Sequence, residues 1–332
     1  MTSKTTPESE LLVGGQALIE GVMMRSPGAY GIAVRRPDGS LAFQRGKVAS
    51  LARRYPFLKL PVLRGVAVLF QSLANGIRAL NFSAEQAMAA PAKEAAPAEA
   101  AAPKEEKKAS SWAVAGSMAF GLGAGVLIFI FLPLWLTQLG ERLLFGHLSS
   151  LAFNLVDGGL RALFFLAYIY AISRLKDIHR VFQYHGAEHK VVFTYEKKLP
   201  LTVDNARAQS RLHPRCGTSF LLFVLLVSIL VFALIPKTAP FIVKFGGRLL
   251  LVPLIAGLSY EVLRVTAKRR AAPLFALLVA PGLALQRITT QEPADDMLEV
   301  AIAALEEALR EDGLEPEKAA SAAVLPVAAS LP

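Results

Sequence analysis

Four runs of apolar residues, each near or beyond the length that crosses a bilayer, constrain this chain more than any other feature. They are Trp112 to Leu136, Leu151 to Ile172, Thr218 to Ile235 and Phe241 to Val262. A helix needs about 20 apolar residues to cross roughly 30 Å of hydrocarbon. Inside lipid every backbone N–H and C=O must bond within the protein, so runs of this kind are expected to be helices. The expected fold is therefore an α-helical polytopic membrane protein of about four transmembrane helices. A fifth run, Leu274 to Leu285, is short and interrupted by Pro281-Gly282, and is expected to be interfacial or re-entrant.

Composition supports this reading where charge enters. Apolar residues make up 54% of the chain, yet its net charge is +10. A basic chain commonly binds nucleic acid, but no nucleic-acid module is recognisable here. Instead the cations collect between the second and third runs, at Arg174, Lys176, Arg180, Lys190, Lys197, Lys198, Arg207, Arg211 and Arg215, and after the fourth at Lys268, Arg269 and Arg270. The positive-inside rule then places both termini and the segment 173–217 in the cytoplasm. No signal peptide is expected, because the first apolar run begins only near Trp112.

Outside the membrane domain, 111–290, the chain divides by pattern. Residues 1–10 read as a disordered polar start. A small β-containing cytosolic module is expected over 11–55, where Gly31–Arg36 and Ser40–Gln44 flank the turn Pro37-Asp38-Gly39. Over 56–88, Leu63, Val66, Phe70, Leu73, Ile77 and Leu80 recur at helical spacing, which predicts an amphipathic helix in the membrane interface or packed on the bundle. The Ala/Pro/Lys/Glu stretch 89–110 reads as a tether, and 313–332 as a disordered tail. Over 291–312, Leu298, Ile302, Leu305 and Leu309 share one face of a cytosolic helix that Asp296 and Glu299 open as a capping box would.

The chemistry is concentrated in Tyr184-His185-Gly186-Ala187-Glu188-His189-Lys190. On a helix, His185 and His189 stand one turn apart on one face and can hold one cation. The pattern is H-x-x-E-H, the inverted form of the zinc-peptidase motif. In that reading Glu188 is the general base, taking a proton from water beside the ion. Candidates to complete the shell are His213 and Cys216, three apart in the turn before the third run, and Glu261, at the cytoplasmic end of the fourth. His179 falls off the face of the pair, and His147 belongs to the opposite side of the membrane. Cys216 is the one cysteine, so no intrachain disulfide forms. Asp157 and Arg161 are expected to neutralise one another within the second run, near its outer end.

Several of these motifs occur together in one family. Val13-Gly14-Gly15-Gln16-Ala17 running to Glu20-Gly21-Val22-Met23-Met24-Arg25, the histidine motif, His213-Pro214-Arg215-Cys216-Gly217-Thr218, Ser259-Tyr260-Glu261 and Gln286-Arg287-Ile288-Thr289-Thr290 resemble the YqhQ-like family of bacterial membrane proteins. The resemblance covers about 11–310. It implies the bacterial cytoplasmic (inner) membrane, a lipid-bilayer setting and a domain of unknown function described as a predicted metal-dependent enzyme.

Two function classes follow. One is a membrane-embedded metal-dependent hydrolase, with a divalent metal such as zinc held at the cytoplasmic face by His185 and His189. The other is a scaffold or assembly factor with a closed structural metal site, docking a cytoplasmic protein partner. A transporter is the more distant class, since neither an internal repeat nor a pair of broken central helices is visible.

Overall fold

The computed structural model describes residues 13–48, 55–89, 111–268 and 273–314. The expected polar start, most of the tether, Arg269, Arg270 and nearly all of the tail lie outside the described residues.

The chain opens with a four-stranded antiparallel meander: β1 (Gly14–Leu18), β2 (Gly21–Arg25), β3 (Ala29–Arg35) and β4 (Leu41–Lys47). The β3–β4 hairpin is the one that Pro37-Asp38-Gly39 announces. Gly39 takes φ +84°, and Asp38 accepts the Ser40 N–H at 2.9 Å. The glycine-rich stretch before it is a second hairpin, β1–β2. Its two-residue turn forces Glu20 to φ +52°. Side chains alternate between two apolar faces. Val22, Met24 and Ala33 point to one core, and Leu18, Met23, Ile32 and Val34 to the other, so both faces are covered.

The helices are α1 (Leu63–Ala87), α2 (Ser111–Val126), α3 (Leu132–Gly140), α4 (Ser150–Ile172), α5 (Lys176–Glu196), α6 (Val203–Arg207), α7 (Gly217–Phe232), α8 (Phe241–Lys268), α9 (Pro273–Thr289) and α10 (Asp295–Asp312). A π-helical segment, Leu127–Phe131, joins α2 to α3 without a break. Helix α10 lies across β2, β3 and β4, and α5 lies on β1. Met297, Leu298, Val300, Ala301, Ala304, Leu305, Ala308 and Leu309 fill the space between them. The expected capping box of Asp296 and Glu299 does not form: Ala294 is the N-cap, which puts Asp296 inside the first turn, and Glu299 pairs with Arg35.

Among the described residues, three helical stretches are long and apolar enough to cross a membrane: Gly116–Leu144, Ser150–Ile172 and Phe241–Val265. The third expected span forms as α7, whose 16 residues rise only about 24 Å. Cys216 caps its start and Pro236 prevents its extension. Helix α9 is continuous through Pro281, contrary to the expected break. A proline deletes one hydrogen bond from a helix, but packing of α9 against α7 and α4 holds both halves in line.

Of the two expected placements, helix α1 does not bury its apolar stripe on the bundle. Its small residues Gly65, Gly76, Ala79 and Ser83 are buried, while Leu63, Phe70, Leu73 and Leu80 are exposed. The reason is close approach. A Cβ on Gly65 would lie 2.7 Å from Tyr260 Cβ and 2.9 Å from the Gly257 oxygen of α8. The apolar stripe is thus turned away from the protein.

The join between sheet and α10 is equally tight. A Cβ on Gly31 would stand 2.5 Å from the backbone of both Ala304 and Ala308. Backbone cannot yield as a flexible side chain does. Gly31→Ala is expected to destabilise the protein by about 1–3 kcal/mol, read as a lowered melting temperature of the purified full chain.

Candidate metal centre

Helix α5 carries the histidine motif on its buried side, where the helix passes between β1 and α10. Gly186 is a requirement of that passage, since a Cβ there would meet the Gln291 oxygen at 2.1 Å. Gln291 N–H in turn bonds the Phe182 carbonyl at 2.8 Å. The motif is therefore locked against the segment that follows α9.

Each histidine is oriented by a backbone carbonyl. His185 Nδ1 lies 2.8 Å from the Thr289 oxygen, and His189 Nδ1 lies 2.6 Å from the Arg211 oxygen. A carbonyl only accepts, so both rings carry their proton on Nδ1 and turn an Nε2 lone pair inward. His185 Nε2 is 3.2 Å from Cys216 Sγ. His189 Nε2 is buried with no hydrogen-bond partner of acceptable geometry among the described residues. The two imidazoles and the thiol offer one donor atom each, all within 4.8 Å of one another. Tetrahedral zinc, with bonds of about 2.0–2.3 Å, sets its donors roughly 3.3–3.7 Å apart. The three atoms can reach that spacing by small side-chain movements.

The other expected ligands stand differently. His213 forms part of the wall, its ring centroid 5.7 Å from that of His189. Its Nδ1 accepts the Arg215 N–H at 3.2 Å, and its Nε2 faces Glu196 at 3.4 Å. Glu261 does not join the cluster. Arg64 grips both of its carboxylate oxygens, and the Val62 N–H adds a third bond. Charge chose a near cation over a distant ion. That pair fastens the start of α1 to α8.

Glu188 is buried beside the cluster, with one carboxylate oxygen 3.5 Å from His189 Nε2. Burial pushes its carboxyl above the usual range, while the nearby His185 and His213, and a hydrogen bond from the Gly15 N–H, pull it back. Burial likewise pushes the His189 imidazole below the usual histidine range, opposed in part by the Cys216 thiol. The neutral imidazole is the form that ligates. Gly15 makes room for the carboxylate, since a Cβ there would lie 2.7 Å from Glu188 Cγ. Glu20, part of the first motif of the resemblance, also serves the site. It pairs with Arg180 and accepts from Tyr184 at 3.3 Å, tying the β1–β2 turn to α5. Burial, and then the Glu20 charge, raise the Tyr184 phenol, which keeps it a donor.

One residue that sequence reasoning noted only as part of a polar cluster proves central. Gln286 is fully buried and holds the His213 backbone at both ends, accepting its N–H at 2.8 Å and donating to its carbonyl at 2.9 Å. This clamp sets the turn that delivers Cys216. A glutamine among apolar residues near a helix end was the available signal.

The molecule is thus a mostly helical protein with apolar helices long enough to cross a membrane, a small N-terminal sheet and a His–His–Cys cluster where the two meet. The chain belongs to the family described as "Protein of unknown function (DUF1385)", whose model matches residues 60–311. It is also 40% identical over 308 residues to "Uncharacterized protein YqhQ" of Bacillus subtilis (strain 168), covering 91% of this chain and 93% of that one. The resemblance to the YqhQ-like family read from the motifs therefore holds. No solved structure matches the chain.

Replacing Gln286 by Ala would leave a buried N–H and a buried carbonyl without partners. Each such loss costs about 1–3 kcal/mol. Gln286→Ala is expected to lower the melting temperature and to raise the reactivity of Cys216 toward a maleimide, as the turn holding the thiol loosens.

Proposed function

We propose that this chain is a membrane-embedded, metal-dependent hydrolase, with His185, His189 and Cys216 as ligands and Glu188 as the general base. The observation that carries the reading is the convergence of three donors, two of them imidazoles pinned through Nδ1, around a buried His189 Nε2 that has no hydrogen bond of good geometry among the described residues. A ring held by its other nitrogen is what metal-ligating histidines need, because the outer bond fixes both tautomer and direction. Imidazole and thiolate donors suit zinc. Three protein ligands are the catalytic pattern, which keeps one position for water or substrate.

A bound zinc ion would polarise a substrate carbonyl and lower the pKa of water nearby. The protein's own groups supply the rest. Glu188 is held by the Gly15 N–H at the edge of the cluster, placed to accept a proton. The cation would also favour its charged form, against the burial that now disfavours it. His185 is the least buried of the three ligand residues, so approach is from its side. Cys216 caps the first turn of α7, which supports a site at the membrane surface if α7 crosses. In this reading α7 crosses as the short member of a four-helix bundle in the bacterial cytoplasmic (inner) membrane, with both termini and the site in the cytoplasm.

A closed structural site in a scaffold that docks a cytoplasmic protein is the second reading, and one distance favours it. His213, the expected fourth ligand, is engaged elsewhere, but the Glu188 oxygen 3.5 Å from His189 Nε2 could take the fourth position.

The two readings part on metal content. Full chain purified without chelator is expected to hold about one zinc, lost in His185→Ala, His189→Ala and Cys216→Ser and kept in His213→Ala. Glu188→Gln should keep the zinc if Glu188 is a base and lose it if Glu188 is a ligand. Full zinc in the His185/His189 double variant would sink both readings. Orientation is checked separately. A reporter fused after Lys198 should behave as cytoplasmic and one at Ser149 as external; the same side for both contradicts the four-span arrangement.

A further inference from the structure

At the end of the helical bundle remote from the histidines, buried charge does not balance. Asp157 of α4 binds two arginines, Arg161 at 2.6 Å and Arg248 of α8 at 2.7 Å. Arg161 also donates to Ser228 of α7 at 2.8 Å. The expected self-contained pair is therefore one half of a three-helix cluster, and its side chains are buried rather than snorkelling. Nearer the helix ends, Lys237 pairs with Glu141 and donates to the Leu148 carbonyl. Lys244 is only 6% exposed and lies 5.0 Å from the Phe153 ring. Among the described residues it has no hydrogen-bond or ion-pair partner.

Four cations thus meet two carboxylates around the mouth of a small, partly open cleft lined by Phe153, Asn154, Phe232, Lys237, Lys244 and Arg248. Two of the arginine nitrogens, Arg161 Nε and Arg248 Nε, are buried with no partner. Unpaired charge in an apolar bundle is costly, and intramembrane cations are kept where a partner anion relieves that cost. Lys244 and Arg248 stand roughly 4 and 10 Å from the start of α8, so cationic groups run from the helix ends inward. Guanidinium forks and ammonium groups together match the tetrahedral oxygens of phosphate. On the same two helices, Leu151 and Leu155 of α4 and Ile242 of α8 are exposed, offering apolar surface to acyl chains.

We propose that this cleft binds a phosphate group, carried by a phospholipid headgroup or present as free phosphate. Lys244 makes the direct contact, and Arg248, oriented by Asp157, closes the inner side. The proposal stands independently of the metal centre.

The test uses full-length protein in a neutral detergent, with thermal stability as readout. Dioctanoyl phosphatidylglycerol, dioctanoylglycerol and inorganic phosphate are titrated separately. Phosphatidylglycerol is expected to raise the melting temperature, with half-saturation weakened about tenfold in Lys244→Gln and further in Lys244→Glu. Dioctanoylglycerol, which has the chains without the phosphate, should have no such effect. Stabilisation by inorganic phosphate to the same extent assigns the free anion; stabilisation by the lipid alone assigns the headgroup. If none of the three stabilises, if dioctanoylglycerol matches phosphatidylglycerol, or if the Lys244 variants keep wild-type affinity, the proposal is wrong. Should a variant melt early without ligand, retention of phosphatidylglycerol over dioctanoylglycerol by the wild-type protein in native mass spectrometry decides in its place.

Discussion

Two backbone carbonyls, those of Thr289 and Arg211, set the direction of two imidazole rings, and much of the structure serves to put those carbonyls where they are. Thr289 ends α9, and Arg211 precedes the turn into α7. The two segments are joined by the Gln286 clamp on His213 and by Arg211, which donates to the Thr290 carbonyl and hydroxyl. Because the Gln286 bonds are buried, loosening them leaves polar groups unsatisfied and not merely uncontacted. The site is consequently braced by main chain, which is less free to rearrange than side chains are.

The small sheet is the other half of the brace. Its first strand brings Gly15 against Glu188, and its first turn brings Glu20 to Arg180 and Tyr184. Helix α10 closes the opposite side of the same core, so the N-terminal and C-terminal parts of the chain hold α5 between them. A soluble-looking module thereby controls the position of a site at the edge of an apolar bundle. The Arg64–Glu261 pair and the close contact of Gly65 with α8 join module to bundle. This explains why Glu261 does not touch the cluster.

How much of this was legible in the sequence depended on the range of the interaction. The His185–His189 pair, the β3–β4 turn and the apolar face of α10 are local patterns with a period, and each could be read directly. Cys216 was visible as a candidate, but its choice over His213 was not. That choice rests on a clamp from Gln286, 73 residues away from His213. The β1–β2 hairpin was hidden because its turn uses Ile19-Glu20 instead of a glycine-led pair. The packed face of α1 was not visible because burial there follows small residues that allow close approach, not large apolar ones. Asp157 and Arg161 were paired correctly, but Arg248, 91 residues from Asp157, could not be added from spacing alone.

The central claim is that His185, His189 and Cys216 share one ion. X-ray absorption at the zinc edge on the purified full chain tests it most directly, because sulfur and nitrogen scatter at different distances. The account predicts one sulfur at about 2.3 Å with two or three nitrogen or oxygen neighbours at about 2.0–2.1 Å, and loss of the sulfur shell in Cys216→Ser. A protein without stoichiometric metal, or a metal shell that contains no sulfur, would contradict it.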